Sequence, residues 1–130
     1  MTLTEKDRIL LINHNIEKAD ACIKEIRILL DNNLLNTAIN RIYYGIFYIL
    51  TSLALKHNFE TSKHLQLIGW FNKNFIKNNV IDKKFGQILH EAYDSRSKGD
   101  YGNFIEFHRD KVETMYLEMQ EFINKIKAIL

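Results

Sequence analysis

The sequence predicts an all-α protein, an up-and-down antiparallel bundle of four to five helices, and three observations carry that prediction. Apolar residues recur at three- and four-residue steps along the chain, and no segment sustains a two-residue alternation. Proline is absent and glycine is limited to five positions, so little interrupts a helix. The stretches between periodic segments are short, which makes neighbouring helices antiparallel. At 130 residues, 46% of them hydrophobic, the chain reads as one domain over residues 1–130.

A first helix is expected from Thr4 to Asp31, with Ile9, Ile12, Ile16, Ala19, Ile23, Ile26 and Leu30 on its apolar stripe and Thr4, followed by Asp7, at its cap. The second runs from about Leu34 to His57 and is apolar on most sides, as a helix buried between neighbours is. Its uncharged run, Ile42 to Leu55, is 14 residues long, short of the roughly 18 to 20 that cross a bilayer. It therefore reads as a core helix, and no membrane is expected. Ser62 is a candidate cap for a third helix, about Lys63 to Asn78, with Leu65, Ile68, Phe71, Phe75 and Ile76 inward. Asp82 can cap a fourth, through Phe85, Ile88, Leu89, Ala92 and Tyr93, ending near Lys98 with Gly99 in the left-handed conformation that stops helices. Asp100 would then cap a fifth. Its stripe of Phe104, Phe107, Val112, Met115, Leu117, Met119, Phe122, Ile126 and Ile129 reaches the C-terminus.

Composition narrows the chemistry. The single cysteine, Cys22, cannot form an intramolecular disulfide, and the polar start "MTLTEKDR" is not a secretory leader, so a cytoplasmic protein is expected. Net charge is only +2, but residues 56–98 hold eight Lys/Arg against four Asp/Glu. That local excess suits a phosphate backbone, and it equally suits a solvated face. No Glu-x-x-His, His-Glu-x-x-His or cysteine pair is present, so no metal site is expected, and the scattered glycines make no phosphate loop. No cofactor is called for.

Of the five histidines, His14, His90 and His108 sit among polar neighbours, and His57 closes the second helix, where a cation suits the dipole. His64 opens the third helix beside the basic segment, which makes it the candidate acid or base. Arg41 leads into the most apolar stretch, "NRIYYGIF", and a guanidinium there needs an anion or a cleft to solvent. Arg96 and Asp100 lie on the corner "SRSKGDYGNF". One reading is a structural ion pair that fixes the corner; the other is a phosphate site made by Arg41, Arg96 and the N-terminus of the fifth helix.

The runs "AINRIYYGIFYILTSLAL", "SKHLQLIGWF" and "RSKGDY", in that order, resemble the compact prokaryotic branch of the HEPN superfamily over about residues 18–125. The resemblance implies a helical bundle, often a homodimer, frequently paired with a minimal nucleotidyltransferase in toxin–antitoxin or phage-defence systems. Several branches are metal-independent ribonucleases marked by an arginine, four to six residues, then a histidine. Here Arg96 stands for the arginine, Tyr101 stands where the histidine is expected, and the next histidine is His108. A tyrosine, with an ordinary pKa of about 10, is a poor base at neutral pH. The leading expectation is a nucleotide- or RNA-binding module that uses Arg41, Arg96, Asp100 and Tyr101 with His64 nearby. Alternatives are a ribonuclease in which His64 supplies the missing group, and a helical partner whose polar corner only sets packing.

Overall fold

The computed structural model describes residues 3–101 and 106–130, without the side chains of Asp100 and Tyr101. Five α-helices follow one another: α1 (Glu5–Asp31), α2 (Leu35–Lys56), α3 (His64–Phe71), α4 (Lys83–Tyr101) and α5 (Arg109–Lys127). A single π-helical turn, Asn72–Ile76, runs on from α3, and there is no strand among the described residues. The all-α bundle is as the periodicity predicts.

Local chemistry sets most of the boundaries. The Thr4 hydroxyl accepts the Asp7 amide at 3.1 Å, and Glu5 and Asp7 place negative charge at the positive end of α1. Asp82 Oδ1 accepts the Lys84 amide at 2.9 Å at the start of α4. At α3 the expected cap is displaced: Lys63 occupies the N-cap position, and the Thr61 hydroxyl, rather than Ser62, takes the Lys63 amide at 3.1 Å. Three asparagines, Asn33, Asn58 and Asn79, adopt φ of 57°, 61° and 57° just after α1, α2 and the π-helical turn. Asparagine tolerates the left-handed region better than other side chains, so it ends helices where glycine is the usual choice.

Gly99 does not have that role. No described glycine has positive φ, and α4 continues through Gly99 and Asp100 to Tyr101. A Cβ at Gly99 would stand 3.6 Å from the Phe107 ring, an ordinary contact distance, so the ring packs against α4 at this point and an alanine would fit beneath it. Asp100 is consequently inside α4 and not the cap of α5, which opens after His108 with Asp110 in its first turn. Phe104 lies outside the described residues.

α2 is the axis of the bundle, touching α1, α3, α4 and α5. Ile42, Ile46, Leu50 and Leu53 are at most 1% exposed, and Phe71, Val112, Met119 and Phe122 close over them. By length and composition α2 could span a membrane, yet 67% of its apolar window is buried in the bundle, as befits a core helix. Two polar ties lock it and its neighbours: Ser52 donates to the Ile12 carbonyl at 2.8 Å, and Tyr116 donates to the Ile23 carbonyl at 2.8 Å. Three residues placed on apolar stripes face outward instead, Ile9, Leu65 and Leu117, all at least half exposed. In α1 the inward position belongs to Arg8, whose Nη1 donates to the Leu55 carbonyl at 3.2 Å, while in α3 Leu67 takes the buried position.

Candidate functional site

The middle of α2 carries Tyr43, Tyr44 and Phe47 on successive positions of one side, with Arg41 one turn before. Tyr43 is fully buried, whereas Arg41, Tyr44 and Phe47 are only half-buried. Against this row α4 brings Arg96 and α3 brings its first residue, His64. Arg96 lies 5.5 Å from the Tyr43 ring centre and 5.3 Å from that of Tyr44, and its Nη2 donates to the Tyr44 hydroxyl at 3.2 Å. Arg41 stands 5.0 Å from the same Tyr44 ring, and its Nε and Nη2 donate to the Asn40 side-chain carbonyl at 3.2 and 3.0 Å. Two guanidinium groups from different helices thus share one aromatic ring, an arrangement favoured by the negative face of the ring.

His64 is held flat. Its ring stacks on Phe47 at 4.2 Å, and its Nδ1 is 2.8 Å from the Tyr43 hydroxyl. Burial, and then the nearby Arg96 charge, push the His64 pKa below its ordinary value, so the imidazole is neutral at pH 7. Burial raises that of Tyr43 well above the ordinary phenol range, which keeps its hydroxyl protonated. If Nδ1 donates to Tyr43, Nε2 carries a lone pair; in the other tautomer Nε2 is a donor.

Of the residues singled out from sequence, Arg41, Arg96 and His64 therefore meet around Tyr43 and Tyr44. The backbone of Asp100 and Tyr101 forms the last turn of α4, and their side chains lie outside the described residues. The helix start expected beside Arg96 is not there, since α5 begins at Arg109. Sequence reasoning treated the tyrosines and Phe47 as core because they sit within an apolar run. The signal that separates Tyr44 and Phe47 from the core is their partial exposure beside Arg41, Arg96 and His64, whereas Tyr43 is a core residue whose hydroxyl meets His64. Among the described residues no group of three His, Cys, Asp or Glu side chains is placed to hold a metal ion. Cys22 is buried, and burial lifts its thiol to about 11, which leaves it unreactive at neutral pH.

The chain that folds into this five-helix bundle belongs to the HEPN family: the HEPN domain model matches residues 12–129. Its relatives are prokaryotic. It is 30% identical to a Thermotoga maritima protein named "UPF0332 protein", over 98% of this chain and 96% of that one. It is 32% identical to the Methanocaldococcus jannaschii protein named "Putative toxin MJ0142", over 88% of this chain and 78% of that one. A second protein of that archaeon, "Putative toxin MJ0605", is 30% identical over 88% of this chain and 85% of its own length.

Proposed function

We propose that the chain is a toxin-type HEPN module of a two-component system, and that it binds a nucleotide or RNA through a phosphate held by Arg41 and Arg96. The observation that carries this reading is the convergence of both guanidinium groups on Tyr44. Arginine forks match phosphate geometry, and half-exposed aromatic rings beside them offer a face for a base. Toxin names on two relatives support the wider role. In that role the chain acts as a cytoplasmic homodimer and is restrained by a minimal nucleotidyltransferase, which co-purification from cells expressing both chains would test. The binding claim is tested by fluorescence anisotropy with a single-stranded RNA oligomer: Arg96→Ala should weaken affinity at least about tenfold, with circular dichroism unchanged. Equal affinity of the variant and the parent would remove Arg96 from the site.

A second reading, metal-independent ribonuclease, is favoured by one feature, the neutral His64 fixed by Tyr43. With Nδ1 donating to Tyr43, Nε2 is positioned to take the proton of a 2′-hydroxyl, and Arg96 would face the developing phosphorane charge. Cleavage also requires an acid for the leaving oxygen, and Tyr101 stands where the ribonuclease signature has its histidine, so binding is the leading reading. Purified protein is expected to bind RNA without rapid metal-independent cleavage; cleavage abolished by His64→Ala would reverse the order of the two.

A further inference from the structure

The outer face of α3 and its π-helical turn has features that the fold does not require. From Thr61 to Ile81 the chain holds Lys63, Lys73 and Lys77 and no Asp or Glu. All three lysines are exposed, and among the described residues none makes an ion pair. Gly69 lies on this face, and a Cβ built there meets nothing within 4 Å. Glycine is among the poorest helix formers, so its presence in an exposed helix, with no neighbour to make room for, points to close approach of something outside the chain. Leu65, one turn before, is 65% exposed, and Lys73 follows one turn after.

Beside this bare strip is a groove of about 470 Å³ lined by His57, Trp70, Asn74, Phe75 and Val80. Trp70 stacks on Phe59 at 5.3 Å with the planes 8° apart, so it is braced as a rigid wall. The π-helical turn falls where Lys73 and Asn74 sit; such turns recur at functional sites. Unpaired cations select a polyanion, and an aromatic groove selects a ligand with flat apolar faces. Single-stranded nucleic acid has both.

We infer that single-stranded RNA held at Arg41, Arg96 and His64 continues over Gly69, with its phosphates near Lys73 and Lys77 and a base in the His57–Trp70 groove. This rests on the phosphate-site reading above and adds that the ligand is a polymer. His64 and Trp70 are six residues apart, roughly 9 Å of helix rise, a span that a few nucleotides cover.

Trp70 is the only tryptophan, so its emission reports this groove alone. The probe is single-stranded oligouridylate on the order of a dozen nucleotides, followed by Trp70 emission and, when end-labelled, by anisotropy. The oligomer should quench Trp70 while uridine monophosphate does not, and Lys73→Gln with Lys77→Gln should weaken oligomer binding about tenfold. Gly69→Gln should raise Tm, since glutamine is the better helix former, and yet weaken binding. Binding that depends on Arg96 but leaves Trp70 emission unmoved, with these variants at parental affinity, overturns this inference and leaves the phosphate site standing. No oligomer binding by anisotropy defeats both. Trp70 emission that changes with protein concentration alone marks the face as a protein interface and also overturns the inference.

Discussion

Arg27 and Arg41 both sit half-buried against a tyrosine, and the difference between them separates a cation that ties two helices together from one that, on the proposed function, meets a ligand. Arg27 in α1 lies 5.8 Å from the Tyr116 ring and donates to Asp31 at 2.9 and 3.1 Å and to Glu113 at 2.9 and 3.3 Å. Its charge is answered twice, and those two carboxylates hold its pKa above the usual guanidinium range. Arg41 in α2 lies 5.0 Å from Tyr44 and donates only to the neutral Asn40 carbonyl, with no ion pair among the described residues. An arginine set beside the core without a carboxylate leaves its charge for an incoming anion. Arg27 ties α1 to α5; Arg41 packs on Tyr44 with no carboxylate beside it among the described residues.

The largest effect expected is on the core that both arginines border. Leu50 is fully buried, and Leu50→Ala should cost about 2 to 5 kcal/mol in denaturant unfolding. A loss under about 0.5 kcal/mol would mean that α2 is not the axis of the bundle. Next comes the contrast itself. Arg41→Ala should cost no more than about 1 kcal/mol, the loss of its contact with the Tyr44 ring, because no ion pair is broken, and should weaken RNA binding severalfold. Arg27→Ala should do the reverse, lowering Tm with affinity unchanged.

A smaller effect follows from His64. Its folded pKa is below the unfolded value, so the unfolded chain takes up the proton first as pH falls. The stability it contributes is complete above about pH 6.5 and is lost as pH falls toward the lowered folded value. A bound phosphate favours the protonated ring, so RNA affinity should rise a few-fold between pH 7.5 and 5.5. His64→Gln should flatten both profiles, and an unchanged profile would separate His64 from the site.

The fold was legible because helical period is written in every core stripe, and three residues were legible as candidates: Arg41 as a cation leading into an apolar run, Arg96 as a cation on the polar corner, and His64 as a helix-opening histidine. The end of α4 was not. Gly99 permits a left-handed stop without compelling one, and the packing of Phe107 against it is a tertiary contact that no local pattern announces. Ile9 and Arg8 exchanged roles for a similar reason: the α2 carbonyl at Leu55 gives the arginine an inward partner that sequence spacing does not reveal. Tyr44 and Phe47 were hidden by their own hydrophobicity, since an aromatic wall and a core residue read alike until the neighbouring helices are placed.

The salt dependence of RNA binding tests the central claim most directly, because each cation that contacts a phosphate releases counterions when the complex forms. For the parent protein, log affinity should fall linearly with log salt. Arg41→Ala should reduce that slope by about 0.7 for a single-stranded ligand, while Arg27→Ala leaves it unchanged. Equal slopes for Arg41→Ala and the parent, or a loss of slope in Arg27→Ala, would contradict the division between the two arginines.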